Sequence, residues 1–127
     1  MWSDDGAVTA PRLDLMFFSP VRSRILLYIA AVGTTDMITM YDLLGIGSVS
    51  ALFAVNHWER EGIVRTERIG KHRIVFLDAT YLAAKELKDF LLGLVTQSHE
   101  LRALRRIGRL RMKPILKNLF EPDARLL

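Results

Sequence analysis

Arg68, Lys71, His72 and Arg73 crowd around Gly70, and a second set of cations, Arg102, Arg105, Arg106, Arg109 and Lys113, recurs at steps of three and four. No acidic residue interrupts the stretch from Leu101 to Phe120. Cations at this density suit a polyanion, because each one set against a phosphate releases condensed counterions and adds affinity without reading sequence. Ahead of both zones lies a run whose outer face, at about 100° per helical residue, carries Ser48, Val49, Ser50, Phe53, Asn56, His57 and Arg60. Serine hydroxyls suit phosphates, asparagine can bridge an adenine, and arginine can take a guanine or a phosphate. Each feature also has a plainer reading: a solvated helix face, an edge hairpin guarded by charge, and a charge run facing water. The last set differs from an ordinary solvated run in lacking acidic partners at i to i+4, so its repulsion is either tolerated or relieved by a partner.

Catalytic chemistry is not expected. The chain has no cysteine, which removes disulfides, thiolate nucleophiles and thiolate metal sites. His57 and His72 have no paired carboxylate or nucleophile beside them in sequence, and no nucleotide-binding glycine loop is present. No cofactor and no metal are expected. A net charge of +4 and a pI near 9.8 add modest weight to a polyanionic partner. No apolar run approaches the roughly 18 residues of a membrane span, and the acidic start MWSDDGAV is unlike a secretory signal, so a soluble cytoplasmic protein with no membrane partner is expected.

The elements that must position these residues follow from periodicity and punctuation. Residues 1–12 lack periodicity and read as a flexible tail, while Leu13 to Phe18, LDLMFF, is apolar enough to need a covering surface. Ser19 as N-cap, Pro20 in the first turn and Gly33 at the end bound a helix over 20–33 with a face of Val21, Ile25, Ile29 and Val32. A second helix is predicted from a Thr39 cap through Leu43 and Leu44 to Gly45, and Gly45-Ile46-Gly47 then turns the chain sharply. A third helix from Gly47 or Ser48 buries Ala51, Ala54, Val55 and Trp58 and ends at Gly62. Ile63-Val64 and Arg73 to Leu77 read as paired strands around Gly70-Lys71. Thr80 is the expected cap of a helix striped with Ala83, Leu87, Phe90, Leu91, Leu94 and Val95. A further helix from about Gln97 to Met112 puts Leu101, Leu104 and Met112 opposite the arginines, and Pro114 should interrupt it. Tyr28 and Trp58 are expected in the core.

This order of elements is the plan of a winged helix-turn-helix, and SPVRSRIL, then GIGSVSALFAVNHWEREGIV, then RTERIGKHRIVFL resembles bacterial and archaeal regulators of the ArsR and MarR type. The first string is similar to the Ser/Asp-Pro-x-Arg-x-x-Ile-Leu opening of ArsR-type proteins, and the resemblance spans roughly Leu15 to Leu94. It implies a homodimer on palindromic operator DNA, usually a repressor released by a ligand. Gly45-Ile46-Gly47 matches the family's Gly-Leu-Ser turn, and Ser50 its first-turn Ser/Thr. Val55, Trp58 and Glu59 match the Leu, Leu and Glu that precede the first wing strand. Phe53 departs from the polar or basic reader usual there, and with Val49 it can make only apolar contacts such as those to a thymine methyl. The metal site of some ArsR-type proteins is not matched, since Asp89 stands alone and His99 lacks a second ligand.

The expected fold is therefore mainly α with a small β-hairpin, a winged helix-turn-helix with N- and C-terminal dimerisation helices. The DNA-binding domain covers 13–79, and 80–127 supply dimerisation and the basic extension. The expected function is a sequence-specific duplex-DNA-binding regulator acting as a homodimer. DNA contacts fall to Ser48, Ser50, Phe53, Asn56, His57, Arg60, Arg68, Lys71, His72 and Arg73, with auxiliary phosphate contacts from Arg102, Arg105, Arg106, Arg109 and Lys113. The competing reading is a winged-helix module whose apolar face and basic helix bind a protein.

Overall fold

The computed structural model describes residues 19–120, so the expected tail and LDLMFF segment, and the C-terminal end of the 80–127 region, lie outside the described residues. The described chain is mostly helical, with five helices and a small three-stranded antiparallel sheet.

The first helix, α1 (Pro20–Val32), is the hub. Ser19 caps it by accepting the Arg22 amide at 3.2 Å, Pro20 occupies the first turn, and Gly33 closes it at φ 89° with its amide on the Ile29 carbonyl. Every residue from Ile25 to Val32 is buried, because helices and sheet pack against it on several sides.

A short strand missing from the sequence expectation comes next: β1 (Thr34–Asp36) pairs with β3 (His72–Leu77), and β3 pairs in turn with β2 (Val64–Ile69). Three residues carry too little pattern to announce a strand; pairing to β3 makes it one. The β2–β3 hairpin turns at Gly70-Lys71, where Gly70 takes φ 60°.

Between β1 and β2 come α2 (Met37–Leu44) and α3 (Ser48–Arg60), which turn through 117° across Gly45-Ile46-Gly47. Asp36, not Thr39, caps α2: its Oδ1 accepts the Thr39 amide at 3.0 Å. A carboxylate at the strand end reaches the first-turn amides, and Thr39 itself is buried inside the helix. On α3, Ala51, Ala54, Val55 and Trp58 face inward as expected, and the Trp58 indole donates to the Arg22 carbonyl at 3.0 Å, tying α3 to the start of α1.

The last two helices are α4 (Ala84–Thr96) and α5 (His99–Phe120). Thr80 does not cap α4: its amide and hydroxyl both turn to Asp78 Oδ1, at 2.8 and 2.6 Å, and the helix begins only after Ala83 at φ 67°. Of the predicted stripe on α4, Leu91 and Val95 are in the core, Leu87 and Leu94 pack at its edge, and Phe90 is exposed. Pro114 does not end α5, which runs on to Phe120. One lost amide is outweighed by contacts on both sides of it, from buried Met112 and from Leu116, which lies beside Thr34.

Gly108 sets how closely α5 approaches α1. A Cβ there would collide with the Tyr28 hydroxyl and lie 3.0 Å from Val32 Cγ1. The Thr35 hydroxyl donates to the Asp36 carbonyl at 3.2 Å, and the buried Tyr28 hydroxyl, beside the Thr35 side chain, has no hydrogen bond of good geometry among the described residues. Among those residues no single helix is long and apolar enough to cross a membrane.

Candidate nucleic-acid interface

The outward face of α3 and the tip of the hairpin open onto one groove of about 320 Å³, which brings Ser48, Val49 and Leu52 together with Arg68, Lys71, His72 and Arg73. Ser48 and Ser50 are exposed in the first turn, and α3 has no side-chain N-cap, so no capping side chain occupies its first amides. Further along, Asn56 and His57 are half-buried and Arg60 is exposed.

The centre of this face is more apolar than the sequence pattern suggested. Val49 is 62% exposed and Phe53 67%, and they are joined by Leu52 at 37% and by Ile38, from α2, at 58%. Ile38 and Leu52 were not among the expected site residues. The spacing of Val49, Leu52 and Phe53 at i, i+3 and i+4 could have shown the ridge on α3, but Ile38 joins the groove only through the 117° turn.

The hairpin cations divide into two kinds. Arg68 and Lys71 are exposed at the tip. Arg73 and His72 are half-buried and engaged inside the molecule. One Arg73 nitrogen, Nη2, donates to Asn56 Oδ1 at 3.1 Å and reaches Glu59 Oε1 at 3.4 Å, while the Thr66 hydroxyl donates to Glu59 Oε2 at 2.8 Å. This chain of bonds braces α3 against both strands of the hairpin. His72 Nδ1 lies 3.1 Å from Asp36 Oδ2, the carboxylate that also caps α2. Asp36 thus ties the hairpin to the helix pair. Glu59 entered the sequence reading only as a family match and Asp36 not at all, since neither partnership has a local signature.

The Arg73 contact changes what Asn56 can offer. Arginine has only donors, so the amide oxygen faces it, and the Asn56 NH₂ makes no hydrogen bond among the described residues. Arg73 takes one of the two lone pairs of that oxygen, so the bidentate donor-and-acceptor contact to adenine expected from the residue type would share the oxygen with Arg73 and be held to the direction that bond sets. Burial, and after it the nearby Arg22, hold the His57 imidazole below the usual histidine range, with Arg60 acting the same way and Glu61 opposing.

The second basic zone lies on α5. Arg102, Arg105, Arg106, Arg109 and Lys113 line one open groove of about 880 Å³ with His99, Ala103 and Leu110. Among the described residues none of these five cations has an acidic partner. Arg109 Nη2 donates to the Ala31 carbonyl at 3.0 Å, in the last turn of α1, and Arg102 contacts His99 Nδ1 at 2.8 Å. Arg111 points elsewhere and bridges Asp42 of α2 at 2.8 Å. Among the described residues no group of three His, Asp or Glu side chains is placed to hold a metal ion.

Compared with known proteins, the chain matches no family model, no curated protein and no solved structure.

Proposed function

We propose that the chain is a winged helix-turn-helix regulator that binds duplex DNA as a homodimer, with repression the outcome that the ArsR and MarR resemblance implies. The observation that carries this reading is the shared groove: the open N-terminal turn of α3 and the exposed cations Arg68 and Lys71 border the same concavity. In mechanism, α3 enters the major groove, the hairpin tip lies on neighbouring phosphates, and the arginines of α5 add phosphate contacts beyond it. The dimer sets two α3 helices about 34 Å apart on successive grooves. Exposed Phe90 on α4 and Ile107 on α5 are apolar surface for that pairing. Nothing in this mechanism needs catalysis, a metal or a cofactor.

Titration of duplex DNA at several salt concentrations tests the reading. Affinity should fall steeply and linearly on a log–log scale with salt; absent or salt-insensitive binding would overturn it. Sedimentation of the complex should give two chains per duplex site. The competing reading, a protein-docking winged helix, is favoured by one observation: Ile38, Val49, Leu52 and Phe53 form an exposed apolar patch where base-reading polar groups would be expected. The same titration separates the two.

A further inference from the structure

We propose that the outer face of α3 reads the 5-methyl groups of thymine in the DNA major groove, through Val49, Leu52 and Phe53 of α3 with Ile38 of α2 beside them. The inference rests on the DNA-binding reading and specifies what that site recognises.

Three observations lead there. First, the polar groups on this face lie at its two ends or are already engaged. Ser48 and Ser50 sit at the start of α3, where hydroxyls can meet phosphate, His57 and Arg60 lie in its last turn, and Arg73 takes one lone pair of the Asn56 oxygen at 3.1 Å. Second, what remains at the centre of the face is apolar and open to solvent, with Phe53 67% and Val49 62% exposed. The thymine methyl is the apolar group that standard bases display in the major groove, so an apolar ridge there separates T·A pairs from the rest by burial, not by hydrogen bonds. Third, the rim decides between DNA and a protein as occupant. Arg68 and Lys71 are exposed cations lining the same groove as Val49 and Leu52, and they match a phosphate backbone along the hairpin side of that groove.

The test uses two pools of random-sequence duplexes, identical except that one carries deoxyuridine in place of thymidine, which removes the methyl and keeps the pairing. The full chain should retain the thymidine pool better by about fourfold for each methyl buried. Thymine should be enriched at fixed positions in the retained thymidine pool, and that enrichment should vanish with deoxyuridine. Phe53→Ser and Val49→Ser, both at exposed positions and checked for an unchanged melting curve, should lose the thymidine advantage while keeping residual, salt-dependent binding. Equal retention of the two pools would overturn the inference and leave DNA binding standing. A thymidine advantage untouched by both substitutions would overturn the assignment to these residues. Retention of neither pool even at low salt would overturn the DNA reading as well and give the patch to a protein partner.

Discussion

The groove between α3 and the hairpin and the arginine face of α5 both carry cations, yet they are built differently. At the groove, Arg73 is tied to Asn56 and Glu59 and the His72 ring lies against Asp36, so these side chains hold α3 and the hairpin at a set angle. On α5 the cations stand without acidic partners among the described residues, and like charges meet at i, i+4 as Arg102 with Arg106, Arg105 with Arg109, and Arg109 with Lys113. Each such pair costs the helix about 0.2 to 0.5 kcal/mol. A face whose charges brace its own geometry is suited to shape and apolar readout. A face whose cations have no acidic partner among the described residues is suited to affinity that ignores sequence.

The largest expected effect removes the second face altogether. Gly108→Leu should destabilise the fold by about 3 kcal/mol, since the side chain has to displace the Tyr28 hydroxyl and Val32 from between α5 and α1. Denaturant unfolding measures the loss, and unchanged stability would show that α5 is not seated where Gly108 places it. Tyr28→Phe, which removes a buried hydroxyl lacking a hydrogen bond of good geometry, should be neutral or stabilising.

Next in size, Arg102→Gln, Arg105→Gln and Arg106→Gln combined should lower the slope of log affinity against log salt by about 2 to 3, with equal loss on every duplex sequence. Arg68→Gln with Lys71→Gln should lower it by about 2. A slope that fails to move in either variant removes that face from the DNA contact and breaks the comparison on that side.

Arg73→Ala should behave differently from both. Without Arg73 to share and fix its oxygen, Asn56 can turn both acceptor and donor to one base, so the base preferred opposite it should shift towards adenine, with a stability loss of about 1 kcal/mol. A uniform loss on all sequences, with an unchanged preference, would make Arg73 an ordinary phosphate contact.

The smallest effect is a pH dependence. The folded protein holds His57 below its ordinary range, so on acidification through about pH 6.5 the unfolded chain takes up the proton first and stability falls. Below the depressed folded value no further loss arises from this group. Replacing His57 by Gln should flatten that part of the stability curve, measured as the denaturation midpoint against pH; an unchanged curve would discount burial as the cause.

Local chemistry settled much of this architecture. Ser19, Pro20 and Gly33 bound α1 through contacts within a few residues, Gly45 to Gly47 turn the chain, and Gly70 takes the positive φ of the hairpin turn. The recurrence of apolar residues separates the buried side of α3 from its outer side, and the arginine face of α5 follows from spacing alone. Where competing local partners existed, the sequence was ambiguous. Asp36 displaced Thr39 as a cap, Thr80 turned back to Asp78, and a proline that could have ended α5 was carried through by packing on both sides.

By itself, then, the sequence determined the helices, the hairpin turn and the two basic zones, because each depends on residues a turn or a strand apart. Only the tertiary structure decided which basic side chains brace the fold, that the Asn56 oxygen faces Arg73, and that Ile38 joins Val49 and Leu52 at the groove. Those outcomes depend on pairs such as Asp36 with His72 and Asn56 with Arg73, which are distant along the chain and meet only once α1 has gathered the helices and the sheet around it.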